Sequence, residues 1–263
     1  APARTLPAHL GRLRAPAMAG LAAVAAVSVG VPVLALLTRL LGSAASPVAW
    51  SELLPAVGGT VALSVAGALV ATTMALPIGI LAARYRTRAA VTLEAASYLG
   101  HALPGIVVGL SLVFFTLAVV PAWYQSAATL AFAYGVLFLT KAVGSIRAAT
   151  AAVPSALEDV GRTLGSTGPG VWARVTAPLA WPGVAAGALL VMLTAMKELP
   201  ATLLLRPTGI DTLATELWTR TAAGAYGAAA PFAAVLVLIA AVPAFLLSGA
   251  LSPDRSSATG EVS

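Results

Sequence analysis

Long apolar blocks alternate with short polar segments along the chain. Six blocks are each long enough to cross about 30 Å of hydrocarbon as a helix of about 20 residues. They lie near 17–40, 58–83, 95–120, 127–147, 183–205 and 229–251. Only closed hydrogen-bonded structures survive in lipid, so this pattern predicts an all-α polytopic membrane protein with six transmembrane helices. We expect an N-terminal segment at 1–16, a six-helix domain at 17–251 and a C-terminal tail at 252–263.

Composition supports the bilayer as the solvent. Hydrophobic residues make up 59% of the chain and charged residues only 9%, whereas a soluble domain carries about 25% charged residues. The chain has no cysteine, which excludes disulfides and thiolate metal sites. The net charge of +6 does not indicate nucleic-acid binding, because the basic residues lie in short loops between apolar blocks.

The same basic residues predict the orientation. With the N-terminus inside, eleven lysines and arginines fall on the inner side, whereas the outer side holds Arg39, Arg206 and Arg220. This bias places both termini in the cytoplasm of a multi-pass protein of the cell membrane. The chain starts at Ala1 without methionine, which suggests a trimmed chain or the second half of a longer protein.

The longest cytoplasmic loop, 150–183, predicts a short helix. Ser155-x-x-Glu158 has the spacing of a capping box, with Ser155 as N-cap. The helix is expected to run to Leu164 and to stop at Gly165, which tolerates the left-handed conformation.

This helix is amphipathic. Glu158, Asp159 and Arg162 are expected on its polar side, while the spacing places four residues on the other face, namely Leu157, Val160, Gly161 and Leu164. Such a helix needs a partner groove. The alternative, a helix resting on the lipid surface, requires flanking basic residues, and only Arg162 and Arg174 are available.

The loop resembles the EAA loop of type I ABC importer permeases, the binding-protein-dependent class with the MetI-like fold. The matching positions are Asp159-Val160-Gly161, Gly165, Val175 and Ala177-Pro178, with Asp for Glu, Val-Gly for Ala-Ala and Ala for Leu. The resemblance implies that the loop contacts a separate ATP-binding subunit. It implies an ATPase-coupling role for Leu157, Glu158, Asp159, Val160, Gly161, Leu164, Gly165, Val175 and Pro178.

The chain is not expected to hydrolyse ATP itself. A phosphate-binding loop requires a lysine followed by serine or threonine, but Lys141 precedes Ala142 and Lys197 precedes Glu198. We therefore expect a transport subunit rather than an enzyme, with ATP hydrolysis in a partner.

Charged residues lie inside the fifth block. Charges at membrane depth cost about 2.5–3.5 kcal/mol on insertion scales, so Lys197 and Glu198 are expected to face protein or water. Each is expected to have its own partner on another helix, unless Pro200 breaks the helix. Two interpretations stay open: a gate or translocation path that includes Lys197, Glu198, Pro200 and His101, or a structural network between helices.

Segments 97–109, 197–207 and 211–215 resemble ferric-iron importer permeases, and the chain resembles the second half of such a fused permease. The resemblance implies ferric iron as cargo, an external substrate-binding protein and a second permease half or subunit as partners. Permeases of the same class for thiamine, aminophosphonate or polyamine remain alternatives. No metal site or cofactor is predicted, because the chain offers only His9 and His101 where a ferric site needs several converging ligands.

Other features are less specific. The pairs Gly105/Gly109 and Gly183/Gly187 permit close helix contact, and the external segment 206–228 is compatible with a helix. A secondary transporter driven by an ion gradient is the alternative of another class, but Glu198 is the only deep carboxylate. Sequence motifs of hydrolases and metalloproteases do not occur.

Overall fold

The computed structural model describes residues 11–42, 49–85 and 87–251, and the regular elements within them are all helical. The predicted tail at 252–263 and His9 lie outside the described residues, as does the side chain of His101. The α-helices are α1 Arg14–Gly42, α2 Trp50–Arg84, α3 Arg88–Ala102, α4 Gly105–Val119, α5 Ala127–Ala152, α6 Ser155–Thr163, α7 Gly168–Val171, α8 Ala177–Ala195, α9 Pro200–Leu205, α10 Leu213–Ala222 and α11 Tyr226–Leu251.

Five of the helical segments are long and apolar enough to cross a membrane, and a bent pair of helices makes a sixth candidate. The third block is not the single helix that the sequence predicted: α3 and α4 meet at 96°. Pro104 has no N–H and disfavours the helical conformation of the preceding residue. Leu103 accordingly adopts an extended backbone, with ψ of 131°.

The fifth block also differs from its predicted bounds of 183–205. Its helix begins at Gly168, because α7 continues through a π-helical turn at Trp172–Thr176 into α8, and it ends at Ala195. Pro200 then starts the separate short helix α9. Of the two possibilities that the sequence left open for this block, the break before Pro200 is the one observed.

Helices α2, α5 and α8 pack together around the main core, whose buried residues include Ala71, Tyr134, Ile146 and Val191. Small residues let these helices approach closely. A Cβ atom on Gly187 of α8 would lie 2.5 Å from the Cβ of Ser145 in α5. Helix α5 is therefore the central element of the bundle.

A second cluster joins the start of α2 to α10 and α11 through Leu53, Ala56, Leu213 and Phe232. The N–H of Leu213 donates to the hydroxyl of Thr60 at 2.8 Å. The helix expected within 206–228 is thus present as α10, held against the bundle. By contrast α1, which contacts α11, has no buried residue, and its apolar surface is left for lipid or another chain.

Candidate functional site

Helix α6, the short helix expected in the loop 150–183, ends in a Schellman motif. The N–H of Gly165 donates to the carbonyl of Arg162 at 2.9 Å, and the N–H of Ser166 donates to the carbonyl of Gly161 at 3.1 Å. These two bonds define the motif, and Gly165 has the φ of +86° that it requires. The predicted glycine stop is confirmed, with the helix ending one residue earlier than expected.

Three of the four residues expected on the apolar face of α6 are exposed: Leu157, Val160 and Leu164, the last with 81% of its surface accessible. Gly161 lies on a different side. A Cβ atom there would be 3.2 Å from Val171 of α7, so this glycine allows α6 to pack closely on α7. The exposed apolar face of α6 therefore consists of Leu157, Val160 and Leu164.

The predicted capping box is wrong. Pro154 occupies the N-cap position, no side chain caps the helix, and Ser155 is already the first helical residue. The carboxylate of Glu158 does not turn back to the helix start, because it is engaged by Arg84 and Thr176. The sequence analysis expected Glu158 on the polar side of the helix. Because of these two contacts it is instead buried, with only 8% of its surface exposed.

Glu158 connects α6 to three other elements. Its Oε1 accepts a hydrogen bond from the Thr176 hydroxyl at 2.8 Å and lies 2.7 Å from Nη2 of Arg84, the last residue of α2. The same Arg84 nitrogen donates to the carbonyl of Val153, just after α5, at 3.0 Å. We call these four residues the Glu158 junction. A buried carboxylate is stable only when it is paired and hydrogen-bonded in this way.

The remaining residues of the loop are more exposed. Arg162 pairs with Asp159 at 2.8 Å on the surface and lies 3.7 Å from Glu158. Val175 is half-buried in the π turn. Pro178 is exposed in the first turn of α8, directly after the π turn.

Sequence reasoning missed three of the four members of the junction, among them Val153, which takes part through its backbone carbonyl. Arg84 entered only as a topology charge, and Thr176 is the variable position before Ala177-Pro178. Neither periodicity nor spacing relates them to Glu158, because Arg84 and Glu158 are separated by more than seventy residues.

The break between α8 and α9 holds the second group of candidate residues. Glu198 caps the short helix α9, since its carboxylate accepts from the N–H of Ala201 at 3.1 Å and the N–H of Thr202 at 3.0 Å. The Thr202 hydroxyl lies 2.8 Å from Oε2 of Glu198 and 2.6 Å from the hydroxyl of Tyr134 in α5. The side chain of Glu198 thus has local partners in α9 and reaches another span only through Thr202, which agrees with the alternative that Pro200 breaks the helix.

The break between α3 and α4 lies against the break between α8 and α9. A Cβ atom on Gly105 would be 2.7 Å from the Glu198 carboxylate and 3.7 Å from the ring of Pro200. One on Gly109 would be 3.1 Å from the Cα of Ala201. The pair Gly105/Gly109 therefore contacts α9, a partner that the sequence pattern did not name. His101 lies in the last turn of α3, just before this break.

Two lysines lie beside the break between α8 and α9. Nζ of Lys141, in the middle of α5, donates to the hydroxyl of Thr194 at 3.2 Å and sits 5.5 Å from the ring centre of Phe138. Lys197 is exposed, and its N–H bonds the carbonyl of Thr194. Within 11–42, 49–85 and 87–251, no carboxylate lies within ion-pair distance of either lysine. No group of three His, Asp or Glu residues in those ranges could hold a metal ion.

An ion-pair network that the sequence analysis did not identify lies near α10. Arg220 pairs with Glu216 at 2.9 Å and with Glu52 of α2, and it stacks over Phe232 at 4.2 Å. Arg206 pairs with Asp211 in the preceding segment. The Glu216–Arg220 spacing of four residues signals a helical pair, but nothing in the sequence points to Glu52.

Sequence comparison with known proteins gives two results. The family described as "Binding-protein-dependent transport system inner membrane component" matches residues 75–256. The chain is 39% identical over 223 residues to the "Fe(3+)-transport system permease protein FbpB 2" of Haemophilus influenzae. That alignment covers 84% of this chain and 44% of the relative, so the chain spans less than half of the relative's length.

Solved structures give the fold. A chain in the inward-facing MetNI methionine ABC transporter aligns with this chain with a TM-score of 0.61 and 18% identity. The alignment covers 76% of this chain and 96% of that one. A crystal structure titled as an amino acid ABC transporter with histidines has a TM-score of 0.56 and 16% identity, covering 74% and 91%. At these identities the likeness shows a shared helical architecture.

Proposed function

Since the chain belongs to the family of inner-membrane components of binding-protein-dependent transport systems, we propose that its helix α6 transmits ATP-driven motion from a separate ATP-binding subunit to the membrane helices. The chain is a multi-pass permease of the ABC importer class. The observation that carries the proposal is the two-sided environment of α6. One side is exposed and apolar, and the other holds a buried ion pair to the membrane helices.

The exposed face of α6 suits a protein groove. Leu157, Val160 and Leu164 leave apolar surface in water, which is costly unless it is covered. A lipid surface is the less suitable cover, because Asp159 is exposed next to this face and opposes anionic headgroups. We assign the exposed face to the ATP-binding subunit.

The Glu158 junction supplies the mechanical connection. A displacement of α6 would be transmitted to α2 through Arg84, to the end of α5 through Val153, and to the start of α8 through Thr176. Packed elements transmit small displacements as discrete shifts rather than absorbing them. Movement of α6 would therefore reorient three spans of the bundle together.

The cargo that we propose is ferric iron, supported by the printed function of the 39% identical relative. Thiamine, aminophosphonate and polyamine are the competing cargoes. Because the chain spans less than half of that relative, we also propose that a second membrane half completes the translocation path. An external binding protein is expected to deliver the cargo on the side opposite α6.

Charge substitution on the exposed face tests the coupling proposal. In Val160→Asp and Leu164→Asp, a charge replaces apolar contact surface, so co-purification with the ATP-binding subunit and cargo uptake should both fall by about tenfold or more. Ser155→Asp is the matched control, because it adds the same charge to the same helix at an exposed position away from that face. Undiminished co-purification of the Val160 and Leu164 variants would refute the docking of α6.

A further inference from the structure

Lys141 and Lys197 differ from the arginines that pair with carboxylates inside the bundle. Several arginines each pair with a carboxylate, as in Arg84–Glu158, Arg147–Glu94 and Arg206–Asp211. Lys141 and Lys197 do not, within the part of the chain that the structure describes. Lys141 is held instead by one neutral hydroxyl and an aromatic ring.

The carboxylate that follows Lys197 in the sequence, Glu198, is already occupied. Both oxygens of Glu198 accept hydrogen bonds from the start of α9, from Ala201 and from Thr202. Withdrawing Glu198 to neutralise Lys197 would leave those donors unpaired, which costs more than an exposed ion pair contributes. Glu198 is therefore a structural cap, and the two ammonium groups remain uncompensated.

The position of the lysines favours a water-filled path over the lipid. An ammonium group in the middle of a span is too costly to face hydrocarbon, so it faces protein or water. The lysines adjoin the place where α3–α4 and α8–α9 are both interrupted. Interrupted backbone at membrane depth is tolerated where it is buried in protein or lines a cavity, and interrupted helices commonly form ion and substrate sites in transporters.

We propose that Lys141 and Lys197 form an anion-binding position on the translocation path, so that the cargo crosses as a negatively charged ferric complex carrying oxyanion ligands. This rests on the proposed function. A bare trivalent cation would be repelled by two ammonium groups, and the described residues contain no cluster of acidic and histidine side chains that would hold it.

The chemistry of the two lysines suits this cargo. Ferric iron is a hard cation that prefers oxygen ligands, and each phosphate or carboxylate ligand adds negative charge to the complex. Lysine presents three donors on a compact charge, which binds the outer oxygens of such ligands without entering the metal's coordination shell. The iron stays ferric throughout, and no covalent bond to the protein forms.

The test uses the complete transporter in proteoliposomes, with both membrane halves, the ATP-binding subunit and the external binding protein. Radiolabelled ferric iron is supplied with radiolabelled phosphate in one arm and radiolabelled citrate in the other. In the wild type one labelled oxyanion should enter together with iron, and the arm that shows it identifies the ligand. Lys141→Gln and Lys197→Gln should each reduce uptake of both labels by about tenfold, while Lys141→Arg and Lys197→Arg should retain most of it.

Arg39→Gln is the control, because it also removes a cation from a span, at the end of α1 over the ring of Tyr226. Its uptake should match the wild type. Iron entry without either labelled oxyanion, or full uptake by the double glutamine variant, would overturn the anion-binding position and leave ferric transport intact. Absence of iron uptake by the wild type, in a transporter that moves one of the competing cargoes, would overturn the proposed cargo as well.

Discussion

Glu158 joins α6 to residues that lie far away in the sequence, although it belongs to a helix of only nine residues. Its carboxylate is shielded from water and is held by Arg84 and the Thr176 hydroxyl, with Arg162 farther away at 3.7 Å. Removing one partner of such a buried pair leaves the other charge unpaired, which costs about 3–5 kcal/mol. At this scale the junction has two effects, since it stabilises the fold and ties α6 to the membrane helices.

Glu158→Ala separates these effects. We expect ATP hydrolysis by the assembled transporter to persist while cargo uptake per ATP falls by about tenfold, because α6 still docks but no longer displaces α2 and α8 together. Measuring both rates in the same proteoliposomes gives the ratio.

The matched control for that variant is Glu94→Ala, which breaks another acid–arginine pair between helices, Glu94–Arg147 at 2.9 Å, between α3 and α5. It should lower thermal stability yet keep the uptake-to-hydrolysis ratio of the wild type. Equal ratios for the two variants would assign Glu158 a purely structural role.

Among the helical elements, two proline-containing breaks meet inside the bundle, and Glu198 stabilises one of them. Helix α9 has only six residues, too few to be stable alone. The hydrogen bonds from its N–H groups to Glu198, and the hydrogen bond between the hydroxyls of Thr202 and Tyr134, hold it in place. The break is thus built into the fold.

Glu198→Ala should therefore destabilise the chain by about 1–3 kcal/mol, since it removes a helix cap that is also a charged acceptor. Thermal unfolding of the detergent-purified protein, followed by tryptophan fluorescence, measures the change. Thr92→Ala on α3 is the control, because it truncates an exposed side chain that makes one local bond. If both variants melted at the same temperature, the cap would contribute nothing to stability.

For the molecule as a whole, orientation follows from the proposed roles. If α6 meets an ATP-binding subunit, the start of α3 lies on the same side and the segment before α10 lies on the other, as the bias of basic residues also predicts. Since the chain has no cysteine, each introduced cysteine is a unique label site.

In spheroplasts, a membrane-impermeant maleimide should label Thr208→Cys directly and Ala89→Cys only after permeabilisation. Both positions are exposed, so accessibility within the protein does not limit the reaction. Labelling of Ala89→Cys in intact spheroplasts, with protection of Thr208→Cys, would reverse the proposed orientation.

The sequence by itself determined the helical membrane fold and the permease class. Apolar blocks of span length have one physical solution in lipid, and the loop pattern at 159–178 lies in a continuous segment that can be read without tertiary structure. The glycine stop at Gly165 was predictable for the same reason, since a left-handed residue is a local requirement.

Only the tertiary structure decided where the charges go. The spacing of Glu158 predicts a capping residue. In the structure its carboxylate instead forms a buried ion pair with Arg84 and accepts a hydrogen bond from Thr176, both from distant segments of the chain. Gly105 and Gly109 signalled a close contact whose partner, α9, exists only because the chain breaks before Pro200. The uncompensated state of Lys141 and Lys197 likewise depends on which carboxylates the folded bundle leaves within reach, which the linear sequence does not specify.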